Sequence, residues 1–494
     1  MGDLSAQKGL NKAGYPNQYW YGLGLGSYCL SMQGDLIREL RKKKNLSQAK
    51  LARLLGIKQA KLSIWETNKV QPSPDVLRRI ITTIEKLDDE TIANLNKRKI
   101  RKKWDIQALE KTFIRSNRVS ADADRKKRLP FLYFNVNEVP YRNAKGISLF
   151  SGIGGMSLGF RLAGIRVVGS VEIYAPFRTI YEANFPDTRC LGHDIQEIDN
   201  REILSWKEQY GEIYVIFGGP PCQGFSLAGK RDRFDPRNQL YQEFARIASV
   251  LQPKVIVMEN VRLITSMKTP EGEGMLEAIS AAFETAGYEC QYKFLNAQDY
   301  GVPQSRSRIF LIGVRKDLDI GQITFPPPTH RPPGQKTLLG EDLEPCVTFR
   351  EATGDLESLA AGECSRNDPW HKATPHPPHV VKMLEGIPEG MSAHDNPDPN
   401  LRPTSGYNTT YKRIKWDEPC STISTNFNMI SGCRHVHPSD TRALTVREAM
   451  RVQTFPDQFK IFGRIDDVRK GIGNAVPPLL AKKIAEHLLK VVLP

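Results

Sequence analysis

The sequence of 494 residues lacks the features that mark membrane and secreted proteins. No apolar run approaches the roughly 20 residues of a membrane span. The N-terminus lacks the basic, then apolar, then small-residue order of a secretory signal. The eight cysteines form no CxxC pair, so we expect free thiols in a reducing compartment. These absences predict a cytoplasmic protein that does not enter a membrane.

The sequence also lacks a recognisable metal site. His371, His376 and His379 lie near Cys364, and Cys433, His435 and His437 alternate. Neither set has the spacing of a zinc site, so we expect no bound metal.

Positive charge is what the chain has in excess. It carries 70 Lys and Arg against 55 Asp and Glu, a formal charge of +15. Such an excess is typical of proteins with a polyanionic partner, most often nucleic acid. The alternative that the protein is basic without such a partner stays open. The length favours about three domains.

The N-terminal part changes character at Met32. Residues 1–31 are rich in Tyr, Gly and Leu without periodicity, which indicates either a tail or a translation start at Met32. Residues 32–90 have helical spacing, with a turn at Gly56. The stretch LSQAKLARLLGIKQAKLSIWETNKVQPS resembles the lambda-repressor-like helix-turn-helix family, in which the helix after the glycine enters the major groove. The resemblance implies base contacts from Gln59, Ala60, Lys61 and Ser63, and phosphate contacts from Gln48 and Lys69.

Two other interpretations of basic residues remain in this half of the chain. The helical domain could be a packing module whose charges are merely solvated. Residues 91–143 read as a basic linker, with KRKIRKK at 97–103 and RKKR at 125–128. Such runs are usually solvated, but contact with DNA phosphate is also plausible.

From residue 144 strands alternate with helices, which predicts an α/β fold with a parallel, doubly wound sheet. Chemistry in such sheets gathers at the carboxyl ends of the strands, where Glu172, Cys222 and Glu259 fall. We expect this catalytic domain to run over 144–325. Residues 326–440 are rich in Pro, His, Asn and Thr and predict an irregular domain, before 441–494 return to the catalytic domain.

The first glycine-rich turn, LFSGIGGMSLGF, lacks the Gly-Lys-Ser/Thr ending of a phosphate-binding loop, which disfavours ATP and GTP. Glu172 ends the next strand, where an acidic residue commonly holds ribose hydroxyls. Asp194 could accept from an adenine amino group. Together they suggest an adenosyl ligand such as S-adenosylmethionine, unless the glycines only form the turn and both carboxylates lie on the surface.

The second motif, GGPPCQGFS, places Cys222 on a stiff loop, as either a nucleophile or an incidental thiol. With the adenosyl site it resembles the bacterial DNA (cytosine-5) methyltransferases. The resemblance runs from about Ser148 to the C-terminus, outside the variable region. The pieces, in family order, are LFSGIGG, the strand ending at Glu172, GHDI, GGPPCQGFS, MENV, QDYGVPQSRSRIFLIG, RALTVREAMRVQTFP and GNAVPP.

The resemblance implies a Rossmann-like, S-adenosylmethionine-dependent methyltransferase sheet with a target-recognition domain. Cys222, beside Pro221, would be the nucleophile; Glu259, beside Asn260, would bond the target cytosine. Arg308 would contact the base carbonyl, with Gln304 and Arg306 supporting the DNA and the loop. The cofactor site would comprise Phe150, Gly152, Gly154, Gly155, Glu172, Ile173, Asp194, Leu240 and Asn474. Ile173 stands where the family usually has an aromatic, so we expect a looser adenine contact.

The chemistry agrees with this assignment. Adding a thiolate to carbon 6 of cytosine makes carbon 5 nucleophilic, and the base must leave the helix to be reached. The loop after Cys222 then reads as a closing lid. In the irregular domain, Arg413 and Lys415 are candidate DNA contacts, and Thr422 and Ile423 would shape the recognition edge, unless this domain is a structural insertion.

We therefore expect a DNA (cytosine-5) methyltransferase that modifies a specific double-stranded sequence, with a cognate restriction endonuclease as genetic partner. The helix-turn-helix predicts an operator as a second DNA partner. Two alternatives remain: a transcriptional regulator with an inert enzyme half, and an RNA cytosine-5 methyltransferase.

Overall fold

The computed structural model describes residues 33–44, 46–55, 57, 59–67, 72–85, 126, 128–135, 138–221, 239–318, 320, 323–335, 343–404 and 407–492. The chain divides into two compact units, Met1–Asp105 and Ile106–Pro494. Among the described residues, no helix combines the length and the apolar character that a membrane span needs.

The first unit is helical, as its periodicity predicted. Its helices are α1 (Gln33–Lys43), α2 (Gln48–Leu55), α3 (Gln59–Glu66) and α4 (Pro74–Glu85). Aliphatic side chains at helical spacing meet in one core around Trp65, among them Ile37, Leu51 and Ile80. Glu66 is buried in this unit and accepts from Arg41 Nε (2.6 Å) and Gln48 Nε2 (2.9 Å). Burial alone would raise the pKa of Glu66, but these bonds hold the pKa below its ordinary value.

The second unit begins before residue 144, which corrects the predicted linker. Leu129 and Phe131, the latter in a 3-10 turn at Pro130–Tyr133, are buried in the core of this unit. Arg128, from the RKKR run, pairs with Glu351 at 2.7 Å and Glu344 at 3.1 Å. The end of the predicted linker 91–143 therefore belongs to the second unit. The sequence concealed this because the apolar residues there stand among charged ones.

Eleven strands lie in the described part of the second unit. They are β1 (Lys145–Leu149), β2 (Arg166–Val171), β3 (Arg189–Gly192), β4 (Val215–Gly218), β5 (Val255–Val261), β6 (Tyr288–Asn296), β7 (Gln304–Ser305), β8 (Ser307–Arg315), β9 (His330–Arg331), β10 (Glu344–Pro345) and β11 (Cys420–Ser421).

Seven of these strands form one sheet in the order β3-β2-β1-β4-β5-β8-β6. The α/β prediction is confirmed, but the sheet is mixed, because β8 runs antiparallel to both β5 and β6. The other pairs are parallel: Leu149 lies beside Val171 on one side and Gly218 on the other. The carboxyl ends of β1, β2, β4 and β5 therefore share one edge.

Helices cover both faces of the sheet. The α-helices in the described part of this unit are α5 (Gly155–Leu162), α6 (Ala175–Asn184), α7 (Asn200–Tyr210), α8 (Leu240–Leu251), α9 (Met275–Thr285), α10 (Phe349–Thr353), α11 (Pro378–Leu384), α12 (Val446–Val452), α13 (Ile465–Asn474) and α14 (Pro478–Val491), of which α11 packs within the irregular segment. The C-terminal α14 packs closely on α5, since a Cβ on Gly159 would lie 2.4 Å from the Pro478 carbonyl oxygen. The C-terminal helix therefore lies against the first helix of the sheet.

The irregular segment, 326–440, has short helices and two-residue strands and belongs to the same compact unit. Buried ion pairs secure its junction with α12. Arg442, just after the segment, pairs with Asp440 of the segment at 2.8 Å and with Glu448 of α12 at 2.9 Å, and the Arg442 and Glu448 side chains are each 1 % exposed. Arg451 pairs with Asp355 at 2.7 Å. Charges this buried persist only when paired, so the junction is specified by side-chain geometry.

Candidate active site

A cavity of about 670 Å³ opens at the carboxyl ends of β1, β2, β4 and β5. This volume is in the range of small-molecule sites. Eight of the nine residues predicted to bind the cofactor line the cavity: Phe150, Gly152, Gly155, Glu172, Ile173, Asp194, Leu240 and Asn474. The strand-end rule thus collects, at one edge, residues up to 324 positions apart in sequence.

The carboxylate of Glu172 is fixed by the turn after β1. One oxygen accepts from the Gly152 N–H and the other from the Tyr174 N–H, each at 2.8 Å. Burial raises the pKa of Glu172, although both hydrogen bonds act in the other direction. Each oxygen keeps a lone pair, so the group can accept from two adjacent hydroxyls, such as those of a ribose.

The predicted cofactor residue Gly154 acts through the backbone rather than as a wall of the cavity. It precedes α5 with φ +98°, and a Cβ there would lie 2.3 Å from Phe185. Only glycine meets both demands. Phe150, at the end of β1, also has a positive φ, of 52°. Strained residues at a strand end are characteristic of sites where the backbone approaches a ligand.

Two further observations fit an adenosyl ligand. The Ser151 hydroxyl is buried beside the cavity and has no hydrogen-bond partner within the described ranges. Buried hydroxyls are normally bonded, so this one is matched to a polar ligand. Ile173 is 65 % exposed at the cavity, so its apolar side chain is available to a flat ring. The residues present therefore fit S-adenosylmethionine.

The other end of the cavity holds an acid–base pair. Glu259 on β5 and Arg308 on β8 point to the same side of the sheet, with Arg308 Nε 3.2 Å from Glu259 Oε1. Burial raises the pKa of Glu259, while Arg308 and Arg306 oppose the rise. A carboxyl in this environment retains its proton to higher pH than an exposed one.

Asn260 connects this pair to the nucleophile loop. Its Nδ2 donates to the Pro220 carbonyl at 3.2 Å, and its Oδ1 accepts from the Val261 N–H at 2.8 Å. Gly219 lies against Glu259, since a Cβ there would come within 2.9 Å of Oε2. Pro221 lines the cavity. The predicted nucleophile, Cys222, lies outside the described residues, but the two residues before it are fixed beside Glu259.

Gln304 and Arg306 are structural rather than exposed to DNA. Gln304 is fully buried; it donates to Gln453 Oε1 at 2.7 Å and accepts from the Ile423 N–H at 2.9 Å. Arg306 is 2 % exposed and donates to the carbonyls of Ile423 and Gly473. The expected direct support of DNA is therefore corrected: both side chains join the irregular segment to the core.

Arg413, predicted as a DNA contact, is also buried and this prediction is wrong. It is 4 % exposed, and its guanidinium donates to backbone carbonyls, including those of Leu384 and His437 at 2.8 Å each. Lys415 is exposed but pairs with Glu418 at 2.6 Å. An arginine in a polar segment suggests a surface group. Arg413 instead donates to buried backbone carbonyls in a segment that has little regular secondary structure to satisfy them.

The predicted recognition edge lies beside Arg308. The Thr422 hydroxyl donates to the Ser305 carbonyl at 2.9 Å, and β11 pairs with β7, two residues from the start of β8. Ile423 is buried behind it. Residues near 435 come close to this edge, since His435 Nε2 donates to the Thr422 carbonyl at 3.1 Å. Arg434, next to it, is exposed.

Comparisons with known proteins decide the class of this site. The family model for C-5 cytosine-specific DNA methylases matches residues 144–490. The chain belongs to the C-5 cytosine-specific DNA methylase family. It is accordingly a DNA cytosine-5 methyltransferase of the S-adenosylmethionine-dependent kind.

Individual relatives agree with the family match. The chain is 41 % identical to the Type II methyltransferase M1.HphI of Haemophilus parahaemolyticus over 352 residues, 70 % of this chain and 86 % of the relative. It is 28 % identical to M.Sau96I of Staphylococcus aureus, over 92 % of this chain and 97 % of the relative. A crystal structure of an E. coli prophage protein assigned as a DNA modification methyltransferase superimposes with TM-score 0.56 and 25 % identity, covering 71 % of this chain and all of that one.

The methyltransferase also carries the predicted DNA-binding unit. A helix-turn-helix family model matches residues 37–86. Gln59, Ala60 and Lys61 are exposed on α3, and Ser63 is half-buried. Gln48, expected at a phosphate, bonds Glu66 instead, and Lys69 lies outside the described residues.

Sequence reasoning missed the buried hydroxyl of Ser151 at the cavity, the buried Gln453 beside Gln304, and the exposed Arg434. Ser151 lies in a motif that was interpreted through its glycines. The role of Gln453 follows only from its hydrogen bond with Gln304, and no sequence pattern marks Arg434. For Ser151 the signal was available, since a small hydroxyl residue in a glycine-rich turn faces the ligand that the turn admits.

Proposed function

We propose that this methyltransferase transfers a methyl group to carbon 5 of a flipped-out cytosine through a covalent adduct with Cys222, as the modification enzyme of a restriction-modification system. The observation that supports this most strongly is that Glu259, which pairs with Arg308, lines the same cavity as Glu172, Pro220 and Pro221. One cavity thus accommodates both an adenosyl group and a pyrimidine.

The reaction requires carbon 5 to become nucleophilic. The Cys222 thiolate forms a bond to carbon 6, and the electron pair of the 5,6 double bond is left on carbon 5 and the conjugated ring. Glu259, protonated, donates to ring nitrogen 3 and accepts the amino group's hydrogen bond, so the charge on the ring is neutralised. The raised pKa of Glu259 supports this role, because it favours the donor form.

Arg308 positions both partners. Its guanidinium lies 3.2 Å from Glu259 and has further donors that can reach the carbonyl oxygen of the base. Asn260 anchors the Pro220 carbonyl, two residues before Cys222, and this fixed point supports the proposal that the loop delivers the nucleophile to the same base. Bound S-adenosylmethionine supplies the electrophilic methyl group, and Glu172, Asp194 and the turn at Gly152 hold its adenosyl part.

After carbon 5 has accepted the methyl group, a base removes the carbon 5 proton, the freed electron pair re-forms the 5,6 double bond, and Cys222 leaves as the thiolate, which restores the aromatic ring. Glu259 is only 9 % exposed and lies inside the cavity, so a cytosine that remains stacked in a duplex cannot reach it. The target cytosine must therefore be rotated out of the helix. The loop that begins at Cys222 is proposed to close over it.

Duplex DNA with 5-fluorocytosine at the target position tests the covalent route. Fluorine cannot leave as a cation, so an adduct formed at carbon 6 persists after methyl transfer. The expected result is a protein–DNA complex that survives denaturing electrophoresis with the native chain and is absent with Cys222→Ala. Turnover of ordinary cytosine without any trapped complex from the fluorinated duplex would contradict the adduct.

The recognition of DNA by the irregular segment is proposed to centre on Thr422 and Arg434. The Thr422 hydroxyl lies 2.9 Å from the Ser305 carbonyl of β7, the strand that leads to Arg308, and the Arg434 carbonyl lies 3.5 Å from the hydroxyl of Ser421 on β11. Arg434 is exposed, and arginine is the commonest reader of guanine in the major groove. Arg434→Ala is expected to relax the methylated sequence at one position, whereas an unchanged sequence would exclude a base contact.

The name of M1.HphI and of the other Type II relatives supports a modification role, with a restriction endonuclease as genetic partner. The helix-turn-helix unit supports a second DNA contact, since the catalytic unit has a reader of its own. We infer that this unit binds an operator in front of the chain's own gene. Footprinting of that upstream DNA tests this: a protected segment outside any methylation site is expected, and no protection under conditions of active methylation would refute it.

A further inference from the structure

The outward face of α3 is centred on an isoleucine. At 3.6 residues per turn, Ala60, Lys61 and Thr67 all lie within about 60° of Ile64, while Leu62 and Trp65 are buried on other sides. Ile64 is 42 % exposed, so its aliphatic side chain is available to a partner on this face. The residue that would reach deepest into a partner is therefore apolar.

The polar side chains around Ile64 are engaged elsewhere. Lys61 Nζ lies 5.3 Å from the centre of the Trp65 ring. The Thr67 hydroxyl donates to the carbonyl of Ser63 at 2.9 Å. Ala60, four residues before Ile64, presents only a methyl group. The middle of this face is thus a small apolar strip, Ala60–Ile64, rather than a row of hydrogen-bonding groups.

DNA is the occupant that the charges favour for this face. Residues 33–85 contain twelve Lys or Arg and five Asp or Glu, and the helix-turn-helix model matches the same region. α1 ends in Arg41, Lys42 and Lys43. In the major groove the apolar group that bases display is the methyl on carbon 5 of thymine. An apolar strip on a groove-reading helix is complementary to that group.

We propose that Ile64 reads a methyl group on carbon 5 of a pyrimidine in the major groove. This rests on the DNA binding proposed above for the helix-turn-helix unit. The catalytic unit installs a methyl group on carbon 5 of cytosine, which lies at the same place in the groove as the methyl of thymine. The first unit would therefore respond to the product of the second, so the methylation state of an operator would alter the binding of the enzyme that methylates it.

The expected effect per methyl group is moderate and measurable. Burial of one methyl against an isoleucine corresponds to about a fourfold change in affinity. Removal of several thymine methyls from one operator multiplies the effect for each methyl that Ile64 touches.

The test uses the full chain with Cys222→Ala, so that the probe is not modified, and the DNA in front of the chain's own gene. The fragment is amplified with dTTP or dUTP, and with dCTP or 5-methyl-dCTP, and the affinity of each protected segment is measured by quantitative footprinting. Ile64→Ser is compared with Leu54→Ser, which removes another exposed aliphatic side chain, 37 % exposed on α2, as a matched control.

The expected result is about a fourfold or greater loss of affinity with dUTP. A change with 5-methyl-dCTP is expected where a cytosine faces Ile64. Both responses should be absent from Ile64→Ser and retained in Leu54→Ser. If the Cys222→Ala chain with native Ile64 protects the segment equally in all four DNAs, the methyl-reading proposal is refuted but operator binding is not. If no segment is protected, operator binding falls as well. If Ile64→Ser alters only the oligomeric state in gel filtration, the face binds a second copy and the proposal is refuted.

Discussion

Gly219→Ala separates the stability of the methyltransferase from its chemistry. An added Cβ would lie 2.9 Å from Glu259 Oε2, about half an ångström inside the 3.4 Å of ordinary contact. The obstructing atom is the end of a flexible side chain, so the fold can accommodate the methyl by moving the carboxylate. Glu259 would then leave its position 3.2 Å from Arg308.

A displacement of this size at a reacting group lowers the rate by about tenfold to a hundredfold, since misplacement by 1 Å costs about a hundredfold. We expect this loss in the single-turnover rate of methyl transfer, with an unchanged melting temperature and nearly unchanged affinity for S-adenosylmethionine. Two glycines serve as controls. Gly432→Ala meets nothing within 4 Å and should be neutral, whereas Gly218→Ala meets the Leu149 carbonyl oxygen at 2.0 Å and should impair folding. Full activity in Gly219→Ala would refute the placement of the Glu259 carboxylate.

Three other predictions follow from the ionisable groups. Burial raises the pKa of Glu259, and the protonated carboxyl is the hydrogen-bond donor, so the single-turnover rate should fall as pH rises through that pKa. The rate of Glu259→Gln should be lower and should show no such decline at alkaline pH. A decline that persists in Glu259→Gln would assign it to another group. Burial lowers the pKa of His435 from 6.5 to about 4, so the folded state binds fewer protons than the unfolded state. The free energy of unfolding should therefore fall by up to about 3 kcal/mol as pH drops from 6.5 to 4. His435→Gln should reduce this acid sensitivity in thermal melts, and an unchanged pH profile in this variant would contradict the assignment to His435. Glu448→Gln removes one of the two buried carboxylates that pair with Arg442, the other being Asp440 at 2.8 Å, and should cost about 3 kcal/mol at neutral pH, measured by denaturant unfolding, while Glu486→Gln on the half-buried side of α14 should cost under about 1 kcal/mol.

The sequence predicted the α/β fold and the cavity edge well, because both follow from local rules. Strand ends mark where Glu172 and Glu259 lie, and the turn chemistry of Gly154 follows from a backbone that only glycine adopts. Eight of the predicted cofactor residues meet in one cavity for the same reason.

The errors arose where long-range pairing decides a residue's position. The reversal of β8 depends on its neighbours in space, and nothing within Ser307–Arg315 indicates its direction. Arg306 and Arg413 look like surface groups in sequence, but distant carbonyls satisfy them inside the protein. Apolar residues such as Phe131, set among basic ones, likewise reveal their burial only when the core that receives them is known.

The most direct test of the account is base-resolution mapping of 5-methylcytosine in plasmid DNA from a host that expresses this chain, beside Cys222→Ala. The account predicts methylation at one short recurring sequence with the native chain and none with the variant. Folded native protein that leaves the DNA unmethylated, or methylation that persists in Cys222→Ala, would contradict it.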